Sequence, residues 1–145
     1  MPADAAVRMV IDADALAVRD GLRRLMGAPP LSGLSEDARG TAEIVLAEVL
    51  NNIVEHAYAR WPGTIDLTIR DDPGGVLLRV EDDGLPMPGE ALPPGTPPDP
   101  GALPDGGFGW HLILRLSLAA DYRRVAGRNR LTLSLPGGLG ASAAP

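Results

Sequence analysis

The most informative part of the chain is Ile44–Ala57, which reads IVLAEVLNNIVEHA. At the α-helical spacing of about 100° per residue, its polar side chains fall within one arc of about 140°, and its apolar side chains fill the opposite arc. The polar side chains are Glu48, Asn51, Asn52, Glu55 and His56. The pattern predicts a long helix, from near Ser35 to about Arg60, whose apolar face packs on a core.

The composition of the polar face allows two interpretations. A helix face that only meets water usually carries a mixture of Lys, Arg and Glu, and the stripe is read most simply as such a face. Two adjacent Asn residues, however, weaken a helix, and a surface helix does not need them. The second interpretation is a functional site, in which these residues are present for their chemistry.

Glu48 and Asn52 lie four residues apart, so their side chains point in the same direction from the helix. A carboxylate beside an amide oxygen suits a magnesium-nucleotide site, because the amide oxygen is a hard ligand for the ion. The carboxylate would accept a proton from an attacking hydroxyl group or water. His56, one turn further along, either orients groups in this site or is a hydrogen-bonded histidine at a helix end.

The hydrophobic pattern predicts further elements on both sides of this helix. Asp12 is expected to cap a first helix, on which Leu16, Leu22 and Leu25 face the core. Because the strands form hairpins with one apolar face each, the expected fold class is α+β. It is a two-layer α/β sandwich with a mixed, mostly antiparallel sheet and helices on one face. The predicted strands are Ala5–Ile11, Thr64–Arg70, Val76–Asp82, Tyr122–Ala126 and Leu131–Leu135, with a turn at 127–129, and the other helices are Ala13–Met26 and Gly109–Leu118.

Two further segments carry residues suited to a nucleotide. Asp82 ends a strand, and it belongs either to a plain acidic turn or to a pocket, where it accepts a hydrogen bond from the exocyclic amine of a base such as adenine. In the pocket, Gly84 would let the flat base approach the backbone. Gly107 and Gly109 open a helix, whose free amides would bind phosphate. A Rossmann fingerprint fits poorly, because Leu112 stands where the third Gly should be.

Composition excludes several classes of protein. The chain has no Cys, which excludes disulfides, a thiol nucleophile and Cys-ligated zinc. All 13 basic residues are Arg, which excludes a Walker P-loop, a conventional protein kinase built on a strand Lys, and Schiff-base chemistry. A net charge of −6 and 3% aromatic residues argue against a nucleic-acid partner. No membrane helix or signal peptide is evident, so no membrane partner and a cytoplasmic location are expected.

The three segments occur in one order: Glu-x-x-x-Asn-x-x-x-His on a helix, Asp-x-Gly-x-Pro after a strand, and Gly-x-Gly-x-x-Leu opening a helix. Together they resemble the nucleotide-binding boxes of the GHKL ATPase superfamily, whose architecture is the Bergerat fold. The strongest resemblance is to the small anti-sigma-factor serine/threonine kinases of bacterial stress and sporulation control. It is carried by Glu48–Tyr58 (EVLNNIVEHAY), by Gly106–Ile113 (GGFGWHLI) and by a closing hairpin, in which Asn129-Arg130 stand where relatives often carry an adenine-side Thr.

The resemblance implies a Mg²⁺-ATP-dependent serine/threonine protein kinase that is also an anti-sigma factor. Glu48 would be the general base toward the substrate hydroxyl, Asn52 would bind Mg²⁺, and Asp82 would hold the adenine amine. The substrate would be a STAS-type anti-sigma-factor antagonist, and a sigma factor would be the second partner, bound by a homodimer. By the same resemblance, the residues contacting ATP would be Asn52, His56, Asp82, Gly84, Gly107, Gly109 and Leu112.

Residues 84–107 contain 14 Gly and Pro in 24 positions. Because proposed nucleotide-binding motifs lie at both ends of this segment, we expect a loop within one domain, in the position of the family's ATP lid. Its Pro content predicts a stiffer chain than a Gly/Ser linker. The kinase domain is expected to span 1–135, and 136–145 is expected to be a disordered tail.

Two other functions remain open. The domain is alternatively a non-catalytic switch that binds ATP and grips a protein partner only in the bound form. The third alternative is a detached kinase-like domain of a two-component system that acts in trans. The sequence shows no histidine-phosphorylation domain, which argues against a sensor histidine kinase.

Overall fold

One five-stranded sheet organises the molecule, and its order is β1-β2-β3-β5-β4. The computed structural model describes residues 6–93 and 107–138, so most of the predicted lid (94–106) and of the predicted tail (139–145) lies outside the described residues. All four neighbouring strand pairs are antiparallel, which confirms the predicted α+β class. The elements are β1 (Ala6–Asp12), α1 (Ala15–Met26), α2 (Glu36–Asn52), a π-helical turn (Ile53–Ala57), β2 (Thr64–Asp72), β3 (Gly75–Asp82), α3 (Gly107–Leu116), β4 (Ala119–Val125) and β5 (Arg128–Pro136), with short 3₁₀ turns at Leu31–Gly33 and Pro88–Glu90.

The core lies between one face of the sheet and the helices. Strand residues alternate between buried and exposed along β2, β3 and β5, as expected for a sheet with one covered face. The apolar side of α2 packs onto that face, with Val45, Leu46, Val49 and Leu50 almost completely buried. The predicted amphipathic helix is therefore the central helix of the covering layer.

The first helix differs from its prediction at its start. It begins at Ala15, and its cap is Asp14, whose carboxylate accepts a hydrogen bond from the backbone N–H of Ala17. Asp12 is the last residue of β1 instead. Leu16 is 78% exposed, whereas Val18 and Leu25 are buried. The prediction for Leu16 was wrong, because at about 100° per residue Leu16 lies on the side of the helix opposite to the buried Leu25.

The predicted single helix from Ser35 to about Arg60 is divided into two parts. Ser35 caps α2 by accepting a hydrogen bond from the backbone N–H of Ala38. After Asn52 the hydrogen bonding changes to the wider π-helical pattern, and the N–H of Tyr58 donates to the carbonyl of Ile53. Such turns often occur at functional sites, and here the change follows directly after the proposed magnesium ligand.

The second hairpin turns earlier than predicted. Ala126 and Gly127 both have positive φ angles, 51° and 81°, and they connect β4 to β5 as a two-residue turn. Asn129, which was predicted to lie in the turn, lies within β5 and pairs with Asp82 of β3. Strand β5 extends to Pro136, so the first residue of the predicted tail belongs to the sheet.

Candidate functional site

The proposed catalytic residues lie together on the partly buried side of α2. The side-chain nitrogen of Asn52 donates a hydrogen bond to the backbone carbonyl of Glu48, over 2.9 Å. Because the nitrogen faces that carbonyl, the side-chain oxygen of Asn52 is directed away from the helix. No hydrogen bond or ion pair within residues 6–93 and 107–138 engages the carboxylate of Glu48. One carboxylate and one amide oxygen are thus both available to a ligand.

The first turn of α3 lies directly against this pair. A Cβ atom on Gly109 would come within 2.7 Å of Oε2 of Glu48 and 3.0 Å of Nδ2 of Asn52. Trp110 and Ile113, both buried, anchor the helix in the core. The N-terminal end of α3, which begins at Gly107, therefore stands beside Glu48 and Asn52, and its unpaired amides carry a partial positive charge there.

His56 does not join this cluster as its spacing predicted. Its side chain is 61% exposed, and the charged group nearest to it is the neighbouring Glu55, at 3.9 Å from Nε2. The π-helical turn explains the difference. Its i to i+5 bonds place more residues in each turn, so a residue after Asn52 no longer continues the α-helical face that carries Glu48.

Asp82 is a buried carboxylate at the end of β3, only 4% exposed. Its Oδ1 accepts hydrogen bonds from the backbone N–H of Gly84, at 2.8 Å, and from Nδ2 of Asn129, at 2.7 Å. Burial raises the pKa of Asp82 above its usual value, while the hydrogen bonds from Asn129 and Gly84 and the nearby charge of Arg124 oppose that rise. The structure thus holds an acceptor oxygen in a low-dielectric position.

Gly84 has a packing role in this structure. A Cβ atom at this position would lie 2.3 Å from the carbonyl oxygen of Ala57, so only glycine fits. The same carbonyl accepts a hydrogen bond from the N–H of Leu85 over 2.7 Å. The turn after Asp82 is therefore fastened to the π-helical end of the helix that carries Glu48 and Asn52. That helix connects the two parts of the candidate site.

Three residues beside Asp82 were not identified as site residues from the sequence. Asn129, Tyr122 and Arg124 come from the closing hairpin and form hydrogen bonds around the Asp82 carboxylate and the backbone that follows it. The signal that could have identified Asn129 is its position in the sequence, where relatives often carry an adenine-side Thr. Its placement in the turn concealed the cross-strand pairing.

Tyr58 fixes the approach to the same region from the other side. Its hydroxyl donates to the carbonyl of Thr64, at 2.7 Å, and accepts from the N–H of Asp83, at 2.8 Å. Burial raises the pKa of Tyr58, so the phenol stays neutral and keeps its proton for the first of these bonds. The residue links the start of β2 to the turn after Asp82.

Leu112 and Arg115 lie further along α3 than Gly107 and Gly109. Leu112 is partly buried on the helix. Arg115, the Arg residue nearest in sequence to Gly107 and Gly109, is exposed in the last turn of α3. It lies eight residues after Gly107, about 12 Å along the helix axis. In the described residues the positive potential beside Glu48 therefore comes from the helix terminus.

Comparisons with known proteins agree with this fold. The family described as histidine kinase-like ATPase domain matches residues 11–135. No curated protein matches the chain. Within the described ranges, every helix is too short or too polar to span a lipid bilayer.

Two similar solved structures show the same fold. One contains the RsbU and RsbW domains of Rv1364c from Mycobacterium tuberculosis, with a TM-score of 0.60 and 19% identity over 90% of this chain. The other is the histidine kinase domain of the blue-light activated histidine kinase from Erythrobacter litoralis EL346, with a TM-score of 0.55 and 19% identity over 73%. This chain spans 32% of the first structure's length and 48% of the second's.

Proposed function

The chain belongs to the histidine kinase-like ATPase domain family, and we propose that it is a Mg²⁺-ATP-dependent serine/threonine protein kinase that also acts as an anti-sigma factor. The observation that carries the proposal is the Glu48 carboxylate, which has no partner among the described residues, beside the first turn of α3 and the side chain of Asn52. The protein substrate would be a STAS-type anti-sigma-factor antagonist. A sigma factor would be the second partner, bound by a homodimer in the cytoplasm. Similarity to a structure that contains an RsbW domain supports this direction.

ATP would lie along the helix that runs from Glu48 to Ala57. Its adenine amine would donate a hydrogen bond to Asp82, whose burial strengthens a charged hydrogen bond. Its phosphates would accept hydrogen bonds from the backbone amides of Gly107 and Gly109 at the start of α3. The segment 84–107 would close over the nucleotide as a lid. Leu112 would contribute apolar surface near this helix, and His56 would act only from the rim.

The residues at the phosphate end also fit a magnesium ion. Asn52 would provide its side-chain oxygen as one ligand, since its nitrogen is already bonded to the carbonyl of Glu48. When bound, Mg²⁺ would neutralise charge on the phosphate oxygens of ATP. Within the described residues, no cluster of three acidic, His or Cys side chains forms a metal site.

Glu48 would act as the general base. Its carboxylate would take the proton from the serine or threonine hydroxyl of the partner protein as the hydroxyl oxygen attacks the terminal phosphorus of ATP. The bond from that phosphorus to the bridging oxygen breaks, and ADP leaves with the electron pair. The amides at the start of α3 would stabilise the negative charge on the transferred group. The products are a phosphorylated partner and ADP.

A non-catalytic switch is the second candidate function. The hydrogen-bonded surroundings of Asp82 are complete within the folded chain, so this end of the site is prepared for binding independently of Glu48. In this case ATP would order the domain for a protein partner without phosphate transfer. A detached two-component kinase domain is the third, and the likeness in fold to a histidine kinase domain favours it.

The deciding experiment compares Glu48→Ala with Glu43→Ala. Both remove a glutamate from α2, but Glu43 is exposed and lies outside the site. ATP affinity is measured by calorimetry, and transfer of labelled phosphate is measured with a STAS-domain protein encoded beside the gene. We expect Glu48→Ala to bind ATP and to lose at least about a hundredfold in transfer rate, while Glu43→Ala retains both activities. A wild-type protein that binds ATP but phosphorylates no partner would favour the switch.

A further inference from the structure

The carboxamide of Asn129 is the centre of a buried polar cluster beside Asp82. The residue is 5% exposed and lies directly across the β3–β5 ladder from Asp82. Its nitrogen donates to Oδ1 of Asp82, at 2.7 Å, and to the carbonyl of Leu85, at 2.8 Å. Its oxygen accepts from the hydroxyl of Tyr122 and from Nη1 of Arg124, the latter at 2.9 Å. All four hydrogen-bonding positions of the amide are therefore occupied by protein groups.

The orientation of this amide follows from its partners. A guanidinium only donates hydrogen bonds, so the side chain of Arg124 requires the amide oxygen on its side. The nitrogen must then face Asp82 and the carbonyl of Leu85, both of which accept. A rotated amide would oppose donor to donor at Arg124 and acceptor to acceptor at Asp82. The cluster thus allows a single arrangement.

This arrangement divides the two oxygens of Asp82 between protein and ligand. Oδ1 receives the bonds from Asn129 and from the N–H of Gly84. No partner in the described residues occupies Oδ2, which leaves that oxygen to a ligand. Since Asn129 has no hydrogen-bonding position left, it cannot touch a base itself. The base edge would meet one fixed acceptor oxygen and no donor.

We propose that Asn129 is a positioning residue that sets the base specificity of the nucleotide site, holding Asp82 so that it accepts from a 6-aminopurine and rejects a 6-oxopurine. The inference rests on the proposed function only in requiring that a nucleotide binds at Asp82. A 6-amino group donates to Oδ2, whereas a 6-oxo group brings a second acceptor against it. The restriction holds only while the carboxylate is fixed and charged.

Tyr122 and Arg124 extend this control to the backbone after Asp82. The Tyr122 hydroxyl accepts from the N–H of Met87 at 3.1 Å, in addition to its bond with Asn129. The guanidinium of Arg124 also donates to the carbonyl of Gly84 at 2.7 Å. The same cluster therefore holds both the carboxylate and the residues where the predicted lid begins.

Removing the amide would release Asp82 in two ways. In an Asn129→Leu variant, which keeps the number and branching of the side-chain heavy atoms, Oδ1 loses one of its two donors and the carboxylate gains freedom to rotate. The bond from Asn129 also lowers the pKa of Asp82 against the effect of burial, as do Gly84 and Arg124, while Asp83 raises it. Without that bond the carboxyl group takes up a proton more readily, and a protonated carboxyl can donate to a 6-oxo group. Both changes reduce discrimination between bases.

The test compares the dissociation constants of ATP and ITP, which differ at position 6 of the purine. We expect wild-type protein to prefer ATP by at least about tenfold, the size of one charged hydrogen bond. Asn129→Leu should bring this ratio to within about threefold, with ITP gaining relative to ATP as the pH is lowered. Thr132→Val is the control, because this residue also lies on β5 but faces away from the core, and its ratio should equal that of the wild type.

Tyr122→Phe provides a milder second variant if Asn129→Leu does not fold. It removes one bond to the Asn129 oxygen, and we expect a smaller fall in the ATP-to-ITP ratio. If wild-type protein binds ATP and the folded variants keep the wild-type ATP-to-ITP ratio, only the proposed role of Asn129 would be overturned. Wild-type protein that discriminates as expected but transfers no phosphate would overturn the kinase proposal and leave this inference intact. Wild-type protein that binds neither nucleotide would overturn both.

Discussion

The two ends of the candidate site are built on opposite principles. At the base end, around Asp82 and Asn129, protein donors and acceptors satisfy almost every buried polar atom. At the phosphate end, Glu48 has no partner in the described residues, and Asn52 uses only its nitrogen. In the proposed function, recognition would therefore depend on groups that are fixed before a ligand arrives. Chemistry is assigned to groups that the fold leaves free to bond with the ligand and to accept a proton.

This difference has a physical reason. A buried polar group without a partner costs free energy, so a fully buried carboxylate such as Asp82 needs its donors at all times. Glu48 is only partly buried, and water can solvate it when no ligand is present. Leaving Glu48 without a protein partner at the phosphate end therefore costs less folding free energy. Three measurements distinguish the two ends, and they follow in order of expected effect.

The largest difference is expected between the two glycines, Gly84 and Gly109. In Gly84→Ala the new Cβ would meet the backbone carbonyl of Ala57 at 2.3 Å, and backbone atoms cannot move away cheaply. We expect a loss of about 3 kcal/mol in the free energy of unfolding. In Gly109→Ala the nearest atom is the flexible end of Glu48, at 2.7 Å. Stability should change by less than about 1 kcal/mol, while phosphate transfer falls at least about tenfold.

Urea unfolding and the phosphotransfer assay measure these two effects separately. Gly40→Ala is the matched control. Gly40 lies on the same helix as Glu48, and a Cβ atom there would have no neighbour within 4 Å. It should raise stability slightly through helix propensity. Equal losses of stability in Gly84→Ala and Gly109→Ala would remove the distinction between a packed end and an open one.

Asp82→Asn separates binding from stability at the base end. The variant replaces the acceptor for the adenine amine with a group that can present a donor, so ATP affinity should fall by about tenfold to a hundredfold. Because burial raises the pKa of Asp82, the charged form costs folding free energy at neutral pH. We therefore expect the free energy of unfolding to stay the same or increase. Unchanged calorimetric affinity for ATP would contradict the assignment of Asp82.

The smallest expected effect is a pH dependence of ATP binding. The pKa of Asp82 is higher in the folded protein than in the unfolded chain, so the folded state holds this proton more tightly. Lowering the pH through the range between these two pKa values therefore increases the contribution of Asp82 to stability, and raising the pH through it removes that contribution. ATP binding changes in the other direction, because protonation removes the acceptor charge. Affinity should fall in wild-type protein as the pH is lowered toward the raised pKa of Asp82.

The same titration with Asp82→Asn isolates the contribution of this carboxyl group from that of the nucleotide's own phosphates. ATP affinity should depend less on pH in Asp82→Asn than in wild-type protein. Parallel curves for the two proteins would mean that Asp82 does not titrate in the binding step. The pH dependence would then come from the nucleotide alone.

Much of the fold followed from local pattern. The apolar face of α2 and the alternating strands were predicted because burial on one side imposes periods of 3.6 and 2 residues on the sequence. Errors occurred where a one- or two-residue shift mattered. Asp14 rather than Asp12 caps α1, and Asn129 lies in β5 rather than in the turn. Short polar residues such as Asp12 and Asp14 can both cap a helix, and the ends of a turn shift easily by one or two residues, so several arrangements satisfy the same local pattern.

The sequence by itself determined the chemical inventory: the Glu48 and Asn52 pair one helical turn apart, a carboxylate at Asp82, and glycines at 107 and 109. Local spacing is sufficient for this, since a helix fixes the relation of residues four apart. Only the tertiary structure decided that Gly109 touches Glu48, that Ala57 requires glycine at position 84, and that Asn129 holds Asp82. These contacts join residues 27 to 61 positions apart. They depend on how the helices pack on the sheet and on strand register, which no local pattern specifies.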